Sequence, residues 1–387
     1  RILLSVIRSM AEKGGIYPPF FNKGGCAMNY KKIFMAVLYV CLFMPLISQN
    51  MVMASENIFP EKYINKQNGV TFETNIEVPE KLDFSKIKTG TAKLQYPKSE
   101  QAISEIAADI AIVDQDISSI EWKGKTVDIS YYTLEDGSTL NLDTILTYTT
   151  PFFDDILNVF RVEKTDVFNA DNYSQENNFS YISSEDAFQY IVDMINRCGY
   201  ELGETNYEYY ALDAETMQQQ EIIADKAGDN SISEPREWNK EDDCYYFFAE
   251  QVYEGLPIYY GNQTFPDDGV TNRPVQAVYS SRGVEGLYVN KVYSITESGG
   301  KVSLLEFDKL AEKISDKYGN LLTSASYYVN RAKLYYMPVA VGVEDYELRP
   351  VWLFEIHEKG IDSETENEYE TTLYTFLDAQ TGEEVVV

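Results

Sequence analysis

Histidine is almost absent from this chain: His357 is the only one among 387 residues, and cysteine occurs four times. Imidazole and thiolate groups supply most zinc and haem ligands and the bases of Ser-His-Asp and Cys-His catalysis. The sequence also lacks a Gly-x-Ser-x-Gly elbow, a His-Glu-x-x-His helix and a Gly-x-Gly-x-x-Gly turn. We therefore expect no catalytic residue, no metal site and no cofactor.

Positive charge is scarce as well. Lys and Arg total 32 against 62 Asp and Glu, which gives a net charge of −30. Nucleic acids and anionic lipid surfaces attract basic proteins, and they repel a chain with this balance. We expect no nucleic-acid partner and no direct membrane binding by the folded part of the chain.

Long apolar runs are missing except for one, from Ile33 to Ile47, which follows Lys31-Lys32. It is short for a membrane span of about 20 residues, and small residues follow it at the positions that a signal peptidase recognises. The pattern predicts a signal peptide over 28–54, cleaved between Ala54 and Ser55. An uncleaved anchor is the alternative. Cleavage predicts an extracytoplasmic protein that is secreted or associated with the cell surface.

Residues 1–27 precede this segment. Lys23-Gly24-Gly25 can be encoded by a bacterial ribosome-binding sequence at a suitable spacing before Met28. We therefore interpret residues 1–27 as the conceptual reading, in frame, of messenger sequence that lies before the start codon and is not translated. Cys41 lacks the small residue that precedes a lipid-modified cysteine, so the sequence does not favour a lipid anchor there.

The rest of the chain is long enough for about two domains of ~150 residues each. The polar stretch from Asn169 to Ser180 suggests a boundary near 183. We predict an amino-terminal α+β domain over 55–183 and a carboxy-terminal α+β domain over 184–387.

Four segments have helical patterns. Apolar residues recur at three- and four-residue spacing from Ser99 to Val113, and Pro151 to Phe160 begins with a proline suited to a first helical turn. A capping box starts a helix at 183–186, and a second such box starts a helix at 303–306. The last two helices should end at glycines.

Amphipathic segments rich in Tyr and β-branched residues predict strands. Thr126–Leu134 and Thr139–Leu146 flank a turn with Gly137, and Glu254-Gly255 forms a second short turn, so the sheets should be largely antiparallel. The remaining predicted strands are Asn206–Leu212, Cys244–Tyr253, Leu256–Tyr260, Ala277–Ser281, Gly286–Ile295, Tyr327–Tyr336, Val351–His357 and Thr371–Leu377.

A five-residue sequence motif, which we call the repeated phrase, occurs at two places. Leu212-Asp213-Ala214-Glu215-Thr216 and Leu377-Asp378-Ala379-Gln380-Thr381 share four residues, each downstream of a capped helix. Either two helix-plus-sheet units are related by duplication, or the similarity is chance.

Leu377 to Glu383 and Tyr253 to Ile258 resemble strand phrases of PepSY-type domains. Helix 303–318, strand Tyr327–Tyr336 and Leu348–Phe354 resemble, in that order, the end of YycI/YycH-type extracytoplasmic regulators of Gram-positive bacteria. The resemblance covers about residues 184–387. It implies an α+β fold of antiparallel sheets packed with helices, no catalytic centre, and action through protein contact at the outer membrane face. Higher acidity distinguishes this chain from those regulators.

Carboxylates and tyrosines leave another function open. A pair of acids in a cleft could hydrolyse a glycan, and aromatic residues beside acids could stack on sugar rings. The alternative to a sugar platform is half-buried sheet surface. The tyrosines concerned are Tyr209, Tyr210, Tyr245, Tyr246, Tyr335 and Tyr336.

Acidic residues alternate at Asp362, Glu364, Glu366, Glu368 and Glu370. An extended backbone would place all five on one face, where they could bind Ca²⁺ loosely, whereas a solvated hairpin tip would need no ion. The acids lack the spacing of a dedicated calcium loop.

Cys198 and Cys244 are the two cysteines downstream of the predicted cleavage site. In an exported protein they either form a structural disulfide or remain two free buried thiols. For residues 184–387 we predict an unidentified protein partner at the cell envelope, bound through an exposed strand edge or the Tyr-rich sheet face.

Overall fold

The computed structural model describes residues 59–122, 124–163, 165, 167–226, 236–261, 273–362 and 365–386. Five α-helices lie within these residues: α1 Ser99–Ile106, α2 Pro151–Val159, α3 Ser184–Arg197, α4 Ala214–Lys226 and α5 Phe307–Gly319. The strands of the same residues are β1 Lys62–Gln67, β2 Val70–Glu77, β3 Lys88–Leu94, β4 Ile112–Trp122, β5 Lys125–Leu134, β6 Thr139–Leu142, β7 Leu146–Thr149, β8 Thr205–Leu212, β9 Cys244–Tyr253, β10 Leu256–Pro257, β11 Val275–Ser280, β12 Gly283–Val289, β13 Tyr293–Lys301, β14 Ser326–Ala340, β15 Asp345–Ile361 and β16 Glu368–Asp378.

The strands form two sheets. One has the order β1-β2-β14-β15-β3-β13, with β16 paired to the far half of β15. The other has the order β10-β9-β11-β12-β7-β6-β5-β4, with β8 also paired to β9. All strand pairs in the described chain are antiparallel except β2 with β14, which is parallel. The expected α+β fold of helices on mainly antiparallel sheets is confirmed.

Helix α5 packs on one face of the seven-stranded sheet. Phe307 on its first turn contacts Trp352 and Phe354, with ring centroids 5.7 and 5.8 Å apart. Both partners are fully buried because the helix covers the middle of β15. Gly319 ends the helix against the β1–β2 turn, where a Cβ atom would overlap the backbone oxygen of Asn68.

Strand β9 lies second from one edge of the nine-stranded sheet, between β11 and the edge strands β8 and β10, and is buried on both faces. Tyr245 and Phe247 pack towards α3 and α1, whereas Tyr246 and Phe248 pack towards α2 and α4. The ring of Phe188 in α3 lies 5.5 Å from that of Phe247. Helices on both faces explain why this strand has a continuous apolar run without alternation.

The predicted helix starts differ in accuracy. The Ser183 hydroxyl accepts from the Asp186 amide at 3.1 Å, and Gly199 follows the helix at φ +98°, so the first capped helix is confirmed. The predicted box at 303–306 is wrong, because α5 begins at Phe307 and Glu306 provides no side-chain cap. The prediction of a helix to Val113 is also too long: α1 ends at Ile106 and β4 begins at Ile112.

The predicted division at position 183 does not follow the sheets. Strands β2 and β3 pair with β14, β15 and β13, and β7 pairs with β12, so both sheets combine strands from 55–183 and 184–387. The repeated phrase ends β8, the first strand after α3, but ends β16, the third strand after α5. The two copies of the phrase therefore do not occupy equivalent places.

Candidate functional site

Strands β4 and β5 extend beyond the rest of the nine-stranded sheet. They pair along their whole length, from Ile112 with Leu134 to Trp122 with Lys125. β6 pairs with β5 only over 130–133, so in the described chain residues 125–129 have β4 as their one neighbour. We call residues 118–122 and 124–129 the arm; Gly124, at φ +76°, lies in its turn.

Polar side chains cover one face of the arm. Ser119 donates to Asp128 at 2.7 Å, and Thr126 donates to Glu121 at 2.7 Å, each across the two strands. Cross-strand pairs of this kind fix the register of a hairpin that has few other contacts. The arm therefore has a defined conformation even though it lies outside the helix-covered part of the sheet.

Apolar side chains lie along β4 without cover. Ile120 faces Val127 on one side of the ribbon and is 43% exposed, and Ile117 on the other side is 57% exposed. Val113, near the start of the strand, is 61% exposed. Since β4 ends the sheet, its outer backbone groups also have no strand beside them in the described chain. An exposed apolar edge of this length is characteristic of a pairing or docking surface.

A second candidate is a cavity of about 550 Å³ at the start of α4. We call it the α4 cleft. Its lining is polar or charged apart from one tryptophan and one alanine; the residues are Asp213, Ala214, Glu215, Gln218, Gln219, Trp238, Asn239, Lys240 and Asp243. Three of these residues are acids, and two of them, Asp213 and Asp243, are close enough for the charge of Asp213 to act on Asp243. A pair of neighbouring carboxylates is the arrangement that a glycan hydrolase requires.

Asp213 and Asp243 already cap the start of helix α4. Asp213 accepts from the amide and hydroxyl of Thr216, at 2.9 and 2.8 Å, and Asp243 accepts from the Ala214 amide at 2.9 Å. Burial raises the pKa of Asp243; the Ala214 hydrogen bond opposes this rise and the charge of Asp213 adds to it. The contacts of both carboxylates account for them as the cap of α4.

Beside the cleft, Asp242 joins two arginines. It is 2% exposed and accepts from Arg236 at 2.9 Å and from Arg282 at 3.3 Å. Both guanidinium groups lie over the ring of Phe152, at 5.1 and 4.1 Å from its centroid. Asn239 binds the other carboxylate oxygen through its amide and side chain. This network fixes the chain that leads from the cleft into β9.

The two cysteines lie on opposite faces of the nine-stranded sheet. Cys198 follows α3 in the core on one face, and Cys244 begins β9 with its side chain in the core on the other face. Both are free and buried, so of the two alternatives the disulfide is wrong. Burial raises the pKa of Cys198 to about 12 and raises that of Cys244 well above its ordinary value. Both thiols are therefore poor nucleophiles at neutral pH.

His357 lies on β15 between Glu355 and Glu370. Its ring nitrogens are 3.0 Å from one oxygen of each carboxylate. Burial lowers the pKa of His357, but the hydrogen bonds and negative charges of the two glutamates outweigh burial and raise it overall. The partners of the ring are therefore two carboxylates of the sheet. Among the contacts of the described residues, no serine or cysteine lies beside it as a nucleophile.

The alternating acids do not share one extended face. Asp362 accepts from the amide of Thr365 at 2.7 Å and so stabilises a turn, Glu366 has φ +58°, and β16 begins only at Glu368. Glu364 lies outside the described residues. Within the part of the chain that the structure describes, no group of three or more His, Cys, Asp or Glu could hold a metal ion. These contacts match the hairpin-tip alternative.

The tyrosines proposed to stack on sugars are mostly internal. Tyr210, Tyr245, Tyr246, Tyr335 and Tyr336 are buried, and Tyr209 is half-buried. Tyr246 stacks on Phe248 at 4.5 Å, and Tyr259 contacts Tyr335 at 5.6 Å. They pack the sheets and do not form an aromatic platform.

The predicted cleavage site, Ala54 and Ser55, and the segments 1–27 and 28–54 lie outside the described residues. Among the helices that are described, none is both long and apolar enough to cross a membrane.

No protein-family model matches the chain, and no curated protein matches it. Among solved structures, the fold is similar to that of an uncharacterized protein from Eubacterium rectale, with a TM-score of 0.52 and 17% sequence identity. The match covers 85% of this chain and 94% of that chain. At this identity the similarity concerns the fold alone.

Proposed function

We propose that the chain is an exported cell-envelope protein that acts as a non-catalytic binding or regulatory module through contact with another protein. The observation that carries this proposal is the exposed edge of β4. Its apolar residues are uncovered, and one strand alone pairs with it in the described chain. This edge lies before position 183, whereas the sequence pointed to residues 184–387.

The physical reason is the cost of leaving such a strand in water. Complete burial of an isoleucine side chain is worth about 1.5–3 kcal/mol, and Ile117 and Ile120 retain roughly half of their surface. A partner strand would cover these side chains and bind the outer backbone groups of β4. A two-stranded ribbon is also marginally stable by itself, so a third strand would stabilise the arm.

A carbohydrate-binding protein or two-carboxylate glycoside hydrolase is the second candidate. It is favoured by one observation, the buried Asp243 beside Asp213 in the α4 cleft. Turnover of cell-wall glycan by the purified chain, lost in Asp243→Asn, would establish it. We prefer the binding module because both carboxylates are engaged in capping α4.

Site-specific photo-crosslinking on intact cells tests the binding module. A photoreactive residue in place of Ser118 should give a discrete heavier adduct, because it lies on the uncovered arm. The same residue in place of Glu312, on the exposed face of α5, is the control and should give none. Absence of an adduct from the arm, or equal adducts at both positions, would contradict the proposal.

Export is tested separately by the intact mass of the chain recovered from outside the cell. The sequence predicts a species that begins at Ser55. A species that retains residues 28–54 would show that the segment is not cleaved.

A further inference from the structure

The outer edge of β4 offers room for an added strand eleven residues long. The pairing of β4 with β5 is regular except for a bulge between Ile112 and Asp114, at the start of the strand. β5 occupies the inner edge throughout. Strand addition to an open edge takes affinity from backbone hydrogen bonds and specificity from alternate side chains. The side chains of β4 therefore describe the partner that would fit.

Negative charge is the first property of this edge. Asp114, Asp116 and Glu121 lie on β4, and the strand contains no lysine or arginine. Asp114 and Asp116 take part in no ion pair among the described side chains, and Glu121 accepts a hydrogen bond from Thr126 at 2.7 Å. Carboxylates elsewhere do form ion pairs, such as Glu77 with Arg331 at 2.6 Å. The charges of β4 are thus available to a partner.

A second copy of this chain fits the edge poorly. Pairing β4 with β4 would bring six carboxylates together between molecules that each carry a net charge of −30. Like charges across a strand pair are destabilising, and opposite charges are stabilising. Charge complementarity therefore favours a basic partner.

We propose that the occupant of this edge is an extended segment of a partner protein, with Lys or Arg opposite Asp114, Asp116 and Glu121 and aliphatic residues opposite Ile117 and Ile120. This inference rests on the proposed protein-binding function and specifies its partner. The basic residues opposite Asp114 and Asp116 and the aliphatic residue opposite Ile120 share one face, because these positions differ by even numbers. The residues opposite Ile117 and Glu121 share the other face.

This pattern of basic and aliphatic residues can be tested with two peptides, one for each direction of the added strand. A parallel strand would have the sequence Lys-Thr-Lys-Val-Thr-Thr-Val-Lys, and an antiparallel strand would have the reverse. We would label each peptide, titrate the purified full chain at low ionic strength and measure fluorescence polarisation. One of the two should bind. The same peptide with Glu in place of every Lys should not bind.

A chain with this net charge can attract any basic peptide, so the controls must distinguish binding at the β4 edge from nonspecific attraction to the negative charge of the whole protein. The first is a scrambled peptide, Lys-Lys-Lys-Thr-Val-Thr-Val-Thr, which keeps charge and composition and should bind at least tenfold more weakly. The second pair of controls uses protein variants. Asp114→Lys with Asp116→Lys should weaken binding of the patterned peptide at least tenfold, whereas Glu312→Lys with Asp316→Lys, the same charge change on α5, should change it less than twofold.

Three results would overturn the inference: equal binding of the patterned and scrambled peptides, equal losses in the two double variants, or a dimer of the chain that the β4 variant abolishes. Circular dichroism of each variant would show that it is folded. If the Ser118 adduct survives Asp114→Lys with Asp116→Lys, a partner exists but recognises other features, and only this inference fails. If no adduct forms at Ser118 in any chain, the proposed function fails with it.

Discussion

Replacing Asp242 by Asn should destabilise the protein by about 3 kcal/mol. The carboxylate accepts four hydrogen bonds, two from arginines and two from Asn239, and it is 2% exposed. An asparagine keeps one acceptor oxygen and turns an NH₂ group towards the remaining donors. Both arginines share Oδ1 and both Asn239 groups share Oδ2, so the asparagine oxygen can serve only one pair of donors, and the other pair loses its acceptor. The arginines also lose the negative charge that strengthens their hydrogen bonds; hydrogen bonds to charged groups are worth about 1.5–3 kcal/mol each, and the equivalent of two is lost. The lower part of that range applies because the side chains of Arg236 and Arg282 are 35% and 43% exposed, and water can replace part of the loss.

The assay is thermal unfolding followed by calorimetry and circular dichroism. An unfolding entropy of about 2.1 cal/mol/K per residue gives about 0.7 kcal/mol/K for roughly 330 residues, so Tm should fall by about 4 °C. Asp316→Asn, on the exposed face of α5, is the matched control and should shift Tm by less than about 1 °C.

A double-mutant cycle of Asp242→Asn with Arg282→Met separates the ion pair from other effects of the substitution. The two changes should be non-additive by about 1 kcal/mol or more, because they remove the same contact. A Tm within 1 °C of the parent protein, or strict additivity in the cycle, would refute the view that this carboxylate holds the two arginines in place.

Three further predictions concern other parts of the fold. His357→Gln should remove a pH-dependent contribution to stability of up to about 1 kcal/mol, because the pKa of the native histidine is raised. The stabilisation is complete below about pH 6.5 and disappears as pH rises through the pKa of the native histidine. Tm measured from pH 5 to 9 would show this loss in the parent protein, and an identical pH profile in the variant would contradict the prediction. Gly319→Ala should lower Tm by several degrees because its Cβ would overlap the carbonyl oxygen of Asn68, whereas Gly300→Ala, with open space around its Cβ, should not; similar melting of both variants would be the opposite result. Both buried thiols should resist iodoacetamide in the native protein and react fully after denaturation without a reducing agent, as peptide mass mapping can show; a thiol that reacts only after reduction would mean that a disulfide exists.

Local patterns in the sequence predicted local structure well. Strand β9 coincides with the predicted Cys244–Tyr253, and Glu254-Gly255 forms the expected turn with positive φ at both residues. Such features depend on a few neighbouring residues, so the sequence contains their causes. The same holds for Ser183, whose hydroxyl caps α3 as expected.

Contacts between distant segments could not be predicted in this way. The parallel pairing of β2 with β14 joins Val70 to Tyr327, and no periodicity within either strand specifies its neighbour. The faces of Cys198 and Cys244 likewise depend on which helices cover the sheet. Strand β4 was missed because Ile110 and Val113 continue the helical spacing that begins at Ser99, whereas α1 ends at Ile106. The β-branched residues Ile112 and Val113 were the available indication of a strand.

Amide hydrogen exchange of the full chain, with and without the patterned lysine peptide, tests the role of the β4 edge most directly. Strand addition should slow exchange at those amides of 112–122 that point away from β5, and should leave the α4 cleft unchanged. The scrambled peptide should produce no such protection. Unchanged exchange across β4 at saturating peptide, or protection confined to the residues around Asp213 and Asp243, would contradict binding at this edge.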